Sequence, residues 1–170
     1  PPIVYGPHDY TERLDYWLDR VATQDRIVVP GDGTNVWQRA YVEDVASGMR
    51  IVAERGEAGE WYNVADRNAV TIDRMVELLA EAMDETVDVV HASDRELSIA
   101  GLESTDFPLY RRHPHLLSTA KLAALGWDST PVATAMERTA AEHLDSDRNG
   151  RENGPARSAE EQLLDVLETV

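Results

Sequence analysis

Cysteine is absent from this 170-residue sequence, which removes disulfides, thiolate metal sites and cysteine nucleophiles together. Lysine is nearly absent: Lys121 is the only one, so 15 of the 16 basic residues are arginines. No apolar run approaches the length needed to cross a bilayer, and no charged-then-apolar leader opens the sequence. The expectation is a cytoplasmic protein with no membrane partner. There is no internal repeat, no low-complexity tract, and no Gly-x-Ser-x-Gly elbow of a serine hydrolase. What is plentiful is acid. Asp and Glu number 32, leaving a formal net charge of −16. Such a field repels nucleic acid and anionic membranes. An acidic, lysine-poor surface over an ordinary core is the pattern of halophilic proteins, so the charge is read as adaptation to salt rather than as a partner signature.

Periodicity divides the rest. Ile3-Val4-Tyr5 is a short β-favouring run closed by Gly6-Pro7, without the alternation of a half-exposed strand. Asp9 and Glu12 have capping-box spacing before a helical stripe of Leu14, Trp17, Leu18 and Val21. Ile27-Val28-Val29 reads as a strand ended by Pro30-Gly31-Asp32-Gly33. Arg39 to Val42 reads as a short strand feeding a helix that carries Val45, Ala46, Met49, Val52 and Ala53 on one side and stops near Gly56. Trp61 to Val64 is a further extended piece. Thr71 caps a helix whose inner face is Ile72, Met75, Val76, Leu79 and Met83, and Val87 to Val90 follows as a strand. Ser118 is placed to cap a short helix ended by Gly126, and Thr130-Pro131 to open the helix reaching Leu144. A body of residues 1–144 is expected, then a polar linker over 145–157, then an amphipathic tail helix over 158–170 with Leu163, Leu164, Val166, Leu167 and Val170 on its apolar side.

Four segments occur in an order that resembles the C-terminal half of an extended short-chain dehydrogenase/reductase, the NAD-dependent epimerase/dehydratase family. Pro1 to Pro7 is similar to the family's Arg-Pro-x-x-Val-Tyr-Gly-Pro pattern from its second residue onward. Gly31-Asp32-Gly33 through Tyr41-Val42-Glu43-Asp44-Val45-Ala46 resembles its Gly-Asp-Gly…Tyr-Val-x-Asp-x-Ala segment. Trp61-Tyr62-Asn63-Val64 resembles its last sheet strand, and Ser118-Thr119-Ala120-Lys121 with Leu125-Gly126-Trp127 its late Ser-x-Lys…Leu-Gly-Trp element. The fold implied is α/β: the C-terminal part of a Rossmann-like parallel sheet plus a small α/β substrate-binding lobe. The function implied is the substrate-binding portion of an NAD(P)-dependent oxidoreductase acting on a sugar or related polyol. The partners implied are a small-molecule substrate, the chain's own N-terminal Rossmann half and, for the intact protein, a second copy in a homodimer. The alternative is a non-catalytic binding module, RNA-associated as in some atypical relatives.

Neither a Gly-x-Gly-x-x-Gly nor a Gly-x-x-Gly-x-x-Gly occurs, so the dinucleotide, NAD or NADP, is expected to be held mainly elsewhere. Leu117 stands four residues before Lys121, so the family's Tyr-x-x-x-Lys pair is missing, no catalytic residue is assigned, and the chain alone is expected to be inactive. By resemblance, Pro1, Pro2 and Ile3 lie beside the nicotinamide. His8 and Asp9 stand at the mouth of the substrate pocket; the competing reading is that they serve helix entry. Trp37 is a stacking platform or a packed aromatic, and Gln38 a polar substrate contact. Sugar-nucleotide members often carry Asn where Ile3 stands and Arg where Trp37 stands, so phosphate contact passes to Arg112 or Arg39. Arg111, Arg112, His113 and His115 form the one non-acidic cluster, read as an anion contact or as a solvated loop; no metal site is expected there.

Overall fold

The computed structural model describes residues 1–168. Three two-stranded pairings organise it. Strand β1 (Ile3–Tyr5) lies parallel to β4 (Arg39–Tyr41), with Val4 opposite Ala40. Strand β2 (Arg26–Pro30) lies parallel to β6 (Asp88–Ala92). The short β3 (Val36–Trp37) and β5 (Val70–Thr71) pair antiparallel. Helices α1 (Arg13–Thr23), α2 (Val42–Arg55), α3 (Ile72–Met83), α4 (Asp94–Ile99), α5 (Ala120–Ala123), α6 (Val132–Leu144) and α7 (Arg157–Glu168) complete an α/β architecture. None of the described helices is long and apolar enough to cross a membrane.

Two apolar clusters form because the helical stripes meet the strands. The larger joins Leu14, Trp17 and Val21 of α1, Ile27 to Val29 of β2, Met75 and Leu79 of α3, and Leu163 and Leu164 of α7. The smaller joins Ala40, Val45, Ile51, Val64, Leu122 and Trp127. Thr71 caps α3 as its spacing predicts, its hydroxyl accepting from the Arg74 amide at 3.1 Å.

Several local expectations are corrected. Asp9 does not cap α1. Its carboxylate accepts from the Thr11 amide and hydroxyl at 2.9 and 2.7 Å, an Asx turn that uses up the cap before the helix begins, and the N-cap is Glu12 in the left-handed region. Ser118 does not cap α5, which starts after Thr119. Thr130 does not cap α6; its amide and hydroxyl both donate to Asp44 at 2.8 Å, and Pro131 is the N-cap. Trp61 to Val64 is no strand, because no ladder partner lies beside it among the described residues; Asp66 N–H then donates to Arg39 C=O at 2.7 Å.

The stripe expected on α2 is divided. Val45, Gly48 and Ile51 are buried, whereas Met49 is 63% exposed. Met49, Val52 and Ala53 instead line an open apolar groove of about 380 Å³, whose other wall is Pro1, Tyr62 and Val64. Residues 145–156, linker-like in composition, run across α1 with a 3-10 turn at Arg151–Asn153, and α7 docks on the body through Leu163 and Leu164. Val170, the last position of the expected tail stripe, lies outside the described residues.

Candidate functional site

The carboxyl end of β1 opens into residues 6–12, and residues 6–11 of this loop wall a cleft of about 360 Å³ also lined by Pro2, Ile3 and Val42. The turn requires glycine at position 6. Gly6 has φ +138°, and a Cβ there would sit 2.6 Å from the Val42 side chain. His8 and Asp9 both line this cleft, with Tyr10 almost fully exposed beside them. His8 adopts a left-handed backbone, φ 65°, costly for a residue with a side chain. Glu142 of α6 steadies it, accepting from the His8 amide at 3.2 Å and lying 3.1 Å from Nδ1. The Arg148 guanidinium grips the same carboxylate with both ends. That hydrogen bonding is the main reason the Glu142 pKa is depressed to about 2.

Trp37, Gln38 and Arg112 lie outside this cleft's lining. Trp37 is buried, with the Arg39 and Arg111 guanidinium carbons 5.4 and 5.1 Å from its ring centroid. Gln38 is buried too, and its amide is consumed by backbone. Nε2 donates to Asp66 C=O at 2.9 Å and Oε1 accepts from Leu117 N–H at 2.5 Å. It therefore ties residues 66 and 117 to β4. Arg39 is 2% exposed, so it meets no substrate phosphate; burial lowers its pKa to about 10, still charged at neutrality. Arg112 pairs with Asp94 at 3.1 Å. Its neighbour Arg111 is exposed and forms no ion pair among the described residues. Sequence reasoning favoured Arg112 in this cluster; residues 111 and 112 lie in irregular chain, so no local period distinguishes the arginine over Trp37 from the one toward Asp94.

Among the described residues no group of three or more His, Cys, Asp or Glu is placed to hold a metal. Gly31 and Gly33, both at positive φ, lead into the two-residue β3 rather than into a helix N-terminus. This glycine pair therefore does not form the helix-N-terminal dinucleotide cradle. What the geometry supplies is one wall of a pocket, with an unpaired guanidinium on a separate loop.

The family model described as "NAD dependent epimerase/dehydratase family" matches residues 1–65. The chain belongs to the NAD-dependent epimerase/dehydratase family. Over 125 residues it is 30% identical to a trifunctional UDP-glucose 4,6-dehydratase/UDP-4-keto-6-deoxy-D-glucose 3,5-epimerase/UDP-4-keto-L-rhamnose-reductase of Arabidopsis thaliana, covering 73% of this chain and 17% of that protein. It is 28% identical to the low-salt glycan biosynthesis protein Agl12 of Haloferax volcanii, covering 73% and 36%. Among solved structures, dTDP-glucose 4,6-dehydratase from Bacillus anthracis in complex with NAD superimposes with a TM-score of 0.67 at 19% identity, covering 86% of this chain and 43% of that one. This family member thus spans less than half the length of each of these three proteins, and its fold is that of their Rossmann-type neighbours.

Proposed function

We propose that this chain is the substrate-binding portion of an NAD(P)-dependent epimerase/dehydratase-like oxidoreductase that acts on a sugar, carried on a nucleotide as in the relatives' names, and works with a Rossmann half supplying the cofactor cradle and the catalytic Tyr-Lys pair. The observation that carries this is the groove on α2. Met49, Val52 and Ala53 continue an apolar helix face into solvent beside Pro1 at the foot of β1, and an apolar face of that kind is normally covered. A parallel strand and its helix laid against β1 and α2 would cover it and place Pro1, Pro2 and Ile3 beside the nicotinamide. Cleft residues His8 and Asp9 then face the sugar, while Arg111 meets the diphosphate, a task suited to a guanidinium. The acidic surface and the resemblance to a Haloferax protein support a working environment of high salt. The same acidity counts against the RNA-binding alternative, since phosphate contacts need basic patches.

The test is complementation in molar salt. Joined to the N-terminal half of a family member such as Agl12, this chain is expected to give nicotinamide-dependent turnover of a nucleotide sugar, with none from the chain alone. A soluble, folded fusion that neither binds nor reduces a dinucleotide overturns the proposal. In the active fusion, Arg111→Ala is expected to weaken UDP binding by about 10- to 100-fold, the range of a charge-assisted contact of about 1.5–3 kcal/mol. Arg112→Ala is expected to change it less than about threefold, because that guanidinium is already engaged by Asp94. Isothermal titration measures both.

A further inference from the structure

Residues after α6 grip the cleft loop directly at two points, and at a third through Glu142 of α6. Arg148 reaches back to Glu142 with both guanidinium nitrogens and to Asp15 with Nε at 3.3 Å, and Glu142 in turn holds the His8 amide and ring. The Gly150 amide donates to the Glu12 carboxylate at 3.2 Å. Asn153 Nδ2 donates to Thr11 C=O at 3.1 Å. The contact at Gly150 is too close for any side chain: with φ +59°, a Cβ there would sit 2.2 Å from the Glu12 carbonyl oxygen. The gripped loop holds two non-glycine residues in the left-handed region, His8 at φ 65° and Glu12 at φ 52°, a conformation that persists only where surrounding contacts enforce it.

We infer that residues 146–155 form a strap that sets the shape of the cleft, holding residues 8–12 in their left-handed turn so that release of the strap loosens the pocket wall. The far end of the strap is anchored independently. Arg151 binds Asp19 at 2.8 and 3.0 Å, and Arg20 Nη2 donates to Pro155 C=O at 2.9 Å. An anchored end with a gripping middle makes the loop's order depend on side chains that never enter the cleft. Glu142, Arg148 and Asn153 are positioning residues for His8 and Thr11, while the Gly150 amide holds Glu12. The coupling holds whatever ligand the cleft takes, so it stands apart from the sugar reading above.

Hydrogen–deuterium exchange of the full chain in molar salt tests this. In Arg148→Ala/Asn153→Ala, the amides of residues 8–12 are expected to exchange about tenfold faster or more, while β2 and α3 keep their protection. Unchanged exchange at 8–12 overturns the inference, and so does a uniform rise that includes β2 and α3, which is the result of general destabilisation. Because the sequence has no cysteine, a Tyr10→Cys variant takes a single fluorophore on the loop. Its anisotropy is expected to fall when Arg148→Ala is added and to recover in part with Arg148→Lys, which restores charge without the two-pronged grip. No fall with Arg148→Ala also overturns the strap.

Discussion

Glu160→Ala is expected to remove about 3–5 kcal/mol of stability, the range for breaking one partner out of a buried ion pair. Glu160 is 1% exposed and Arg20 is 3% exposed. One carboxylate oxygen accepts from the Tyr16 hydroxyl; the other accepts from Arg20 Nε at 2.9 Å and Arg157 Nη1 at 3.2 Å. Arg151 shares Asp19 with Arg20, and Arg157 also reaches the exposed Glu161 at 3.3 Å, so this patch holds three guanidiniums against two buried carboxylates and one at its rim. Removing Glu160 leaves Arg20 and Arg151 to share Asp19 and Arg157 to pair with the exposed Glu161, with Arg20 stacked on the Tyr16 ring 4.6 Å away and closed off from water. High salt relieves exposed charges more than buried ones, so the deficit is expected to persist in molar salt. For a domain whose whole stability is about 5–15 kcal/mol, such a loss moves a urea midpoint far enough to measure easily. Glu160→Gln, which keeps shape and acceptor but not charge, is expected to fall between. A loss below about 1 kcal/mol in Glu160→Ala would show the cluster to be solvated in practice.

That cluster also marks where sequence reading stopped. The stripe of Leu14, Trp17, Leu18 and Val21 was legible because helical spacing alone places it on one face, and the structure buries all four. Tyr16, Asp15, Asp19 and Arg20 occupy other faces of the same helix and are buried as well. Nothing local announces this, since their partners His143, Arg148, Arg151 and Glu160 lie more than a hundred residues away. The α2 stripe failed in the opposite sense. Its period identified the helix correctly, but period cannot say whether a covering element is present, and Met49 and Ala53 stand in the open. At the cleft, a turn signal and a family pattern singled out Gly6, His8 and Asp9, all of which line it. Gln38 could not be judged that way, because its two backbone partners, at residues 66 and 117, come from separate loops. The Asp9 and Thr130 caps were misplaced for a shared reason: short polar side chains at helix starts have rival acceptors and donors nearby, and an Asx turn or a neighbouring carboxylate took them.

Asp66 is expected to make the folded state more stable as pH falls from 7 toward 4. It is 3% exposed, and burial raises its pKa from 3.8 to about 6; the Tyr41 amide, donating at 3.1 Å, and the Arg39 charge pull the other way without cancelling the effect. Between 3.8 and about 6 the folded chain therefore binds a proton that the unfolded chain has released. Stability from this group is full below that window, is lost as pH rises through it, and stays lost above. Each tenfold gain in proton affinity on folding is worth about 1.4 kcal/mol, so the full swing is about 3 kcal/mol, with about 1 kcal/mol already regained at pH 5. Glu142 runs oppositely: its pKa of about 2 stabilises the fold above 4.5 and that contribution is lost as pH drops toward 2. The two windows meet near pH 4 to 5, so the summed contribution of these two groups peaks there rather than at neutrality. Falling net repulsion in so acidic a chain moves stability the same way as Asp66, so the decisive measurement is a difference. Asp66→Asn keeps an oxygen for the Tyr41 amide and carries no charge; its urea midpoint is expected to exceed that of the unaltered chain at pH 7 and to converge with it by pH 4, at fixed salt. Parallel curves across that range would mean that Asp66 keeps an ordinary pKa and that water or Arg39 solvates it fully.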